Sequence, residues 1–244
     1  MNRASKVALI TGGAKRVGRA IALQLAQEGF DIAFTYLSSE SEAHALLEEL
    51  RAIGRTAHAI RADLSQPAIA VEEIHRAISV EFGRLDVLVN NASLYLPANL
   101  AATTSTLIHQ LNAIHVESPL LLCQRFEPML RAARGHVVNM VDLLAERPWP
   151  QYLPYCASKA ALWNLTLGLA RSLAPEVTVN GIAPGVVEWP DDYPQPERDK
   201  YLRRVPLGRP GTPQDVARLV KFLVTDGAYI TGQIIRLDGG RSLT

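Results

Sequence analysis

Short apolar runs alternate along the chain with longer segments whose apolar residues recur at helical spacing. The pattern predicts a strand over Val7–Thr11 and a helix over Arg16–Glu28, with Val17, Ile21, Leu25 and Ala26 on one side. A second pair follows at Asp31–Tyr36 and Ser41–Ile53, and a third at Thr56–Arg61 and Pro67–Phe82. Asp86–Asn90 reads as the fourth strand, Thr104–Ala133 as one long helix and His136–Met140 as the fifth strand. Leu153–Ala174, Val177–Ile182, Pro213–Thr225 and Gln233–Leu237 complete the series. Strands alternating with helices of this length imply βαβ units and a parallel sheet. The strands are nearly all apolar, as expected when helices cover both faces. The expected fold class is therefore α/β: one doubly wound, Rossmann-like domain spanning residues 1–244.

Residues 186–204, VVEWPDDYPQPERDKYLRR, break the rhythm. Pro190, Pro194 and Pro196 exclude a core helix across the segment. A loop this long in a compact domain is usually functional, so a substrate lid is expected, with a solvated connection as the plainer alternative.

Composition adds exclusions. Lys plus Arg number 25 against 24 Asp plus Glu in 244 residues, so no charge excess points to nucleic acid or a membrane surface. Cys123 and Cys156 form no disulfide framework, and no HExxH or Cys-His cluster suggests a metal. The first residues lack a signal-peptide pattern and no apolar stretch is long enough to span a bilayer, so a cytoplasmic protein is expected.

Three segments carry chemistry. The first strand runs into Thr11-Gly12-Gly13-Ala14-Lys15-Arg16-Val17-Gly18. Glycines let backbone approach a diphosphate, and the next helix offers it free N–H groups and a positive dipole end. Arg16 stands where a plain dinucleotide fingerprint has glycine, putting a cation near the phosphates or the substrate mouth. The second strand ends at Tyr36-Leu37-Ser38-Ser39 without an acidic residue to hold the ribose 2′-hydroxyl of NAD. Ser38, Ser39, Lys15 and Arg16 suit a 2′-phosphate, hence NADPH, although the serines also fit a helix cap. Third, Tyr155 and Lys159 are one helical turn apart, so an ammonium beside the phenol would lower its pKa and make it a proton donor and acceptor.

With Asp63-Leu64, Asn90-Asn91-Ala92, Asn180-Gly-Ile-Ala-Pro184-Gly185 and Asp238-Gly-Gly240 in the same order, the chain resembles the short-chain dehydrogenases/reductases over nearly its whole length. TGGAKRVG, Asn90-Asn91-Ala92-Ser93 and the tail DGGRSLT are similar to the pteridine reductases and bacterial dihydromonapterin reductases. Asp142, thirteen positions before Tyr155, stands where most members have serine. An ionised carboxylate would repel the growing alkoxide of ketone reduction. It suits a C=N bond, whose nitrogen takes a proton. A loop cap is the alternative role for Asp142.

The resemblance implies Gly12, Lys15, Arg16, Val17, Gly18, Ser38, Ser39, Asp63, Leu64, Asn90, Ala92, Pro184 and Gly185 around NADPH, with Lys159 on the nicotinamide ribose. Asp142, Tyr155 and Lys159 would be catalytic. Arg16, Ser93, Tyr95, Asp142, Tyr155 and Trp189 would meet a pterin, with Tyr95 stacking on it and Trp189 closing the site. His115 replaces the asparagine that many members carry four residues before a proline, here Pro119. The reading is an NADPH-dependent reductase of a dihydropterin or dihydrofolate, working as a homotetramer. The alternatives are a ketone or 3-oxoacyl reductase and, last, a non-catalytic NADP-binding regulator, which would be expected to lack Tyr155 or Lys159.

Overall fold

The computed structural model describes residues 5–189 and 193–244. Seven strands form one parallel sheet in the order β3-β2-β1-β4-β5-β6-β7. They are β1 Val7–Ile10, β2 Asp31–Tyr36, β3 Ala57–Arg61, β4 Val87–Asn90, β5 His136–Met140, β6 Thr178–Pro184 and β7 Ile234–Leu237. Crossover helices α1 Arg16–Gln27, α2 Glu40–Ala52, α3 Pro67–Glu81, α4 Ser105–Asn112, α5 Ser118–Ala133, α6 Leu153–Leu173, α7 Gln195–Leu202 and α8 Pro213–Thr225 cover both faces. The doubly wound expectation holds, with most boundaries within a residue or two.

Successive side chains of a strand point to opposite faces, and the core divides accordingly. Ala8 and Ile10 join α1, α2 and α8 on one side, through Ile21, Leu25, Leu46 and Val220. Val7 and Leu9 join α3, α5 and α6 on the other, through Ile74, Phe126 and Leu169. Burial on both faces explains why the strands read as continuous apolar runs.

Two expectations change. The single helix over 104–133 is α4, a π-helical turn at Ala113–Glu117, and α5. Pro119 lacks the N–H that would bond His115 and its ring would crowd that carbonyl, so a wider turn fits better than α geometry. Within the segment 186–204 the chain forms α7, with Pro194 at its N-cap and Pro196 in its first turn, where a missing N–H costs nothing. Pro190, Asp191 and Asp192 lie outside the described residues.

The strand order reverses between β1 and β4, which opens a crevice at their carboxyl ends. Thr11 Oγ1 accepts from the Asn91 and Ala92 N–H groups at 2.9 and 3.0 Å, and Asn91 Nδ2 donates to Thr11 O and Gly12 O at 2.8 and 3.1 Å. These bonds tie the two loops flanking the crevice.

A Cβ on Gly18 would fall 2.3 Å from Gly12 O and 2.9 Å from Gly13 Cα, both backbone atoms. Gly18→Ala is therefore expected to lower unfolding free energy by about 2 kcal/mol, the scale of forced overpacking, visible as a lower denaturant midpoint.

Candidate active site

The crevice begins at the glycine loop. Gly12 has φ +63, a left-handed conformation natural to glycine, and a Cβ there would lie 3.0 Å from Ala92 Cα. Gly13 leaves no room for a Cβ against Phe34. Lys15 precedes α1 without a side-chain cap, and the first turn holds no acidic residue, so its N–H groups are free for an anion. Arg16 also has a positive φ, +53, at the position where a fingerprint glycine would sit. A non-glycine residue there costs roughly 1–2 kcal/mol. Its exposed guanidinium lies 3.2 Å from Glu188 Oε2, across the mouth of the cavity described below.

Ser39 occupies the N-cap position of α2 but makes no cap bond, and Ser38 is exposed. The capping alternative therefore gains no support, and both hydroxyls are open beside the end of β2. The backbone cradle, uncapped helix, exposed Lys15 and free serines fit the diphosphate and 2′-phosphate of NADPH. Val17 is half-buried against the core under this loop.

Other expected cofactor residues are engaged elsewhere through their side chains. Asn90 is buried and donates to Asn139 Oδ1 at 2.8 Å, and Asn139 in turn donates to Thr166. Asp63 accepts from Ser65 N and Oγ at 2.9 and 2.7 Å, which holds its carboxyl below the ordinary range. Leu64 points into the core, while its carbonyl accepts from Ser118. Toward a cofactor, Asn90 and Leu64 have backbone to offer. Pro184 and Gly185, at the end of β6, line the neighbouring cavity.

The catalytic candidates meet where β5 ends and α6 begins. Tyr155 Oη donates to Asp142 Oδ2 at 2.7 Å, and Leu144 N–H donates to Asp142 Oδ1 at 2.8 Å. Asp142 thus caps the turn after β5, the alternative role expected for it, and also accepts from the tyrosine. Burial pushes its carboxyl above the ordinary range, against the opposing pull of those two donors and of Lys159. Lys159 is also buried and donates to Met140 O at 2.8 Å. Burial lowers its ammonium to about 8.

One expectation is corrected here. Lys159 does not bring the Tyr155 phenol down. Burial, followed by the charge and hydrogen bond of Asp142, drives that phenol well above its usual value. The ammonium lies 5.8 Å from the Tyr155 ring centroid and is turned toward Met140. In this arrangement Tyr155 is a held proton donor.

His115, inside the π turn, locks the other side of the site. Leu94 N–H donates to its Nε2 at 3.2 Å, which assigns the proton to Nδ1, and Nδ1 donates to Ser158 Oγ at 2.8 Å. Ser158 donates to Tyr155 O, and Ser93 Oγ lies 2.9 Å from the same Nε2. Burial holds His115 well below its ordinary pKa, so it is a neutral strut between the Ser93 loop and α6.

A cavity of about 270 Å³ opens over this cluster. Tyr95, Asp142, Tyr155, Trp149, Trp189 and Tyr201 are among the residues that line it. Tyr95 stacks on Tyr152 at 4.5 Å and meets Tyr155 edge-on at 4.8 Å, so one of its faces is occupied within the protein. Trp189 stacks on Tyr193 at 4.8 Å and meets Tyr201 edge-on. Ser93 reaches the Tyr155 hydroxyl as well as His115, and is absent from the cavity lining. Sequence reasoning passed over Trp149, Tyr201, Arg147 and Arg241, all in the lining. Arg241 sits in the quoted DGGRSLT tail, the one signal that could have singled it out.

The fold and this Asp-Tyr-Lys cluster at a Rossmann crevice define a nucleotide-dependent oxidoreductase. The chain belongs to the short-chain dehydrogenase/reductase family: the family model described as enoyl-(acyl carrier protein) reductase matches residues 12–242. It is 35% identical over 241 residues to the 3-oxoacyl-(acyl-carrier-protein) reductase FabG of Staphylococcus epidermidis, covering 97% of this chain and 98% of that one. Among solved structures, a blue fluorescent protein from a metagenomic library in complex with NADPH is 37% identical, with a TM-score of 0.92 and 99% of each chain covered. A short-chain dehydrogenase from Burkholderia cenocepacia J2315 in complex with NADP is 36% identical, with a TM-score of 0.91, covering 98% of this chain and 99% of that one. The cofactor is NADP(H).

NADPH is expected to bind at least about tenfold more tightly than NADH, or ~1.4 kcal/mol for one charge-assisted phosphate contact. Fluorescence titration at physiological salt checks this, and Arg16→Gly should weaken NADPH binding while relieving the backbone strain.

Proposed function

We propose that this protein is an NADPH-dependent reductase of the C=N bond of a pterin-type heterocycle, a dihydropterin or dihydrofolate. The observation that carries the reading is the 2.7 Å hydrogen bond between buried Tyr155 and half-buried Asp142, whose carboxyl is pushed toward its protonated form. NADPH, when bound, supplies the hydride. The chain supplies the proton and the shape of the site. Protonated, Asp142 donates to a ring nitrogen. Ionised, it holds the Tyr155 hydroxyl as a donor and accepts from the amino and amide edge of the heterocycle. Lys159 compensates the negative charge left on the pair after proton transfer. The flat aromatic lining of Tyr95, Tyr155, Trp149 and Trp189 suits a planar ring and excludes water.

Arg16 would serve cofactor and substrate mouth together, and residues 186–204, carrying Trp189 and α7, would form the adjustable wall. Exposed Ile108, Leu120, Leu153 and Leu167 on α4, α5 and α6 support burial between subunits in a homo-oligomer such as a tetramer.

A second reading, reduction of a ketone or 3-oxoacyl thioester, is favoured by the similarity to 3-oxoacyl-(acyl-carrier-protein) reductase. It requires a protonated Asp142, the form toward which desolvation pushes this carboxyl, because a carboxylate beside Tyr155 opposes a growing alkoxide.

NADPH oxidation with dihydrobiopterin, dihydromonapterin, dihydrofolate and an acetoacetyl thioester compares the two readings directly. Turnover of the thioester alone would reject the pterin reading. Asp142→Ser is expected to lower kcat/KM for dihydropterin about 100-fold, the scale for losing a proton-transfer group. Full retention would make the carboxylate structural. Lys159 is charged below about 8 and neutral above it. Activity that needs the ammonium should therefore hold below that value and fall as pH rises through it, seen in kcat/KM profiles.

A further inference from the structure

Three arginines crowd the outer end of the cavity. Arg147 and Arg241 line it, and Arg241 also lines an adjoining cavity of about 500 Å³ together with Arg204. The two cavities share Trp149, Tyr193, Tyr201 and Arg241, so they form one inner and one outer chamber with Arg241 at the joint. Arg241 is 9% exposed, and its guanidinium carbon lies 5.3 Å from the Tyr201 ring centroid. Only its Nη1 has acceptors, Thr244 O and Oγ1 at 3.1 and 3.4 Å, while its buried Nε has none among the described residues.

Among the described residues no Asp or Glu side chain pairs with these arginines. Arg147 donates to Ser242 O at 2.7 Å and Arg204 to Thr244 O at 3.1 Å. The nearby carboxylates are committed: Glu188 to Arg16, Glu197 to Lys200 and Glu146 to Arg236. Asp238, which with Tyr201 favours the Arg241 cation, accepts from Ser242 N and Gly240 N. Burial and the charges of Arg204 and Arg147 make the Arg241 cation harder to keep than usual. Guanidiniums that line a cavity without an Asp or Glu side-chain partner among the described residues suit an incoming oxyanion, which they can bind by paired donors.

We propose that Arg147, Arg204 and Arg241 form an oxyanion subsite at the outer end of the substrate cavity, selecting substrates whose reacting ring carries a tail ending in carboxylate or phosphate. The inference rests on the reading of the inner chamber as a heterocycle site. Ring chemistry occurs at Asp142 and Tyr155, and the tail runs past Trp149 and Tyr201 to Arg241. Binding energy at the tail then places the ring.

The test uses 7,8-dihydrofolate, with a carboxylate tail, 7,8-dihydroneopterin monophosphate, with a phosphate tail, and 7,8-dihydrobiopterin, with neither. Arg147→Gln and Arg241→Gln should each lower the kcat/KM ratio of tailed to untailed substrate about tenfold, mainly through KM. Loss for one tail only identifies the oxyanion the subsite takes. Equal losses on all three substrates would assign the arginines to folding and overturn the subsite, as would no loss. A second arm is independent of turnover: calorimetric titration of the NADPH-saturated protein with p-aminobenzoyl-glutamate and with its uncharged diamide. Saturable binding of the first alone, abolished by Arg147→Gln, upholds the subsite even if no pterin is reduced. Equal binding of both rejects it whatever the substrate of the inner chamber, and binding of neither rejects it for carboxylate tails, leaving only a phosphate subsite, which must then show as a loss confined to the phosphate-tailed substrate.

Discussion

The hydrogen bond between Tyr155 and Asp142 joins the carboxyl end of β5 to the first turn of α6 at the floor of the cavity, with Tyr155 buried and Asp142 half-buried. Both groups are polar, and neither can be left there alone without a desolvation cost of about 1–3 kcal/mol, more for a charged group. Each is therefore held by several bonds. Asp142 takes the Leu144 amide as well as the phenol. The helix turn that carries Tyr155 is braced by Ser158 and, through it, by His115. The π turn that points His115 inward follows from a proline placed four residues later. The proton-handling centre is thus fixed by contacts from four segments.

The same economy shapes the cofactor end. Gly12, Gly13 and Gly18 permit three backbone approaches that any Cβ would block or strain. Arg16 breaks the pattern by keeping a side chain at positive φ. A residue held against its backbone preference is a reasonable mark of use, and a cation at the mouth facing Glu188 has an evident one. Electrostatically, the site has an acid-phenol-lysine centre and a ring of guanidiniums toward the outside.

Much of the fold was legible because a sheet covered on both faces forces apolar strands, and helices between them show their period. The glycine loop, Tyr155 and Lys159 were legible because their spacing carries chemistry. The break at Ala113–Glu117 was less so, since the apolar period runs through it and only the Pro119 ring decides the geometry. Lys159 shows a further limit. One-turn spacing puts it near Tyr155, but burial and the Met140 carbonyl decide where its charge acts, and those depend on β5. Arg147 and Arg241 reach one cavity from distant parts of the chain. No local pattern in the sequence foretells that meeting.

The central claim is that Asp142 holds a proton more readily than an ordinary carboxyl while paired to Tyr155. Carbon-13 NMR of aspartate carboxyl groups, with Asp142→Asn to assign the signal, measures this directly. The account predicts that Asp142 titrates above the usual aspartate value of about 3.9, and that Tyr155→Phe moves it higher by removing a donor to the anion. A titration at or below the usual value, unmoved by Tyr155→Phe, would contradict it.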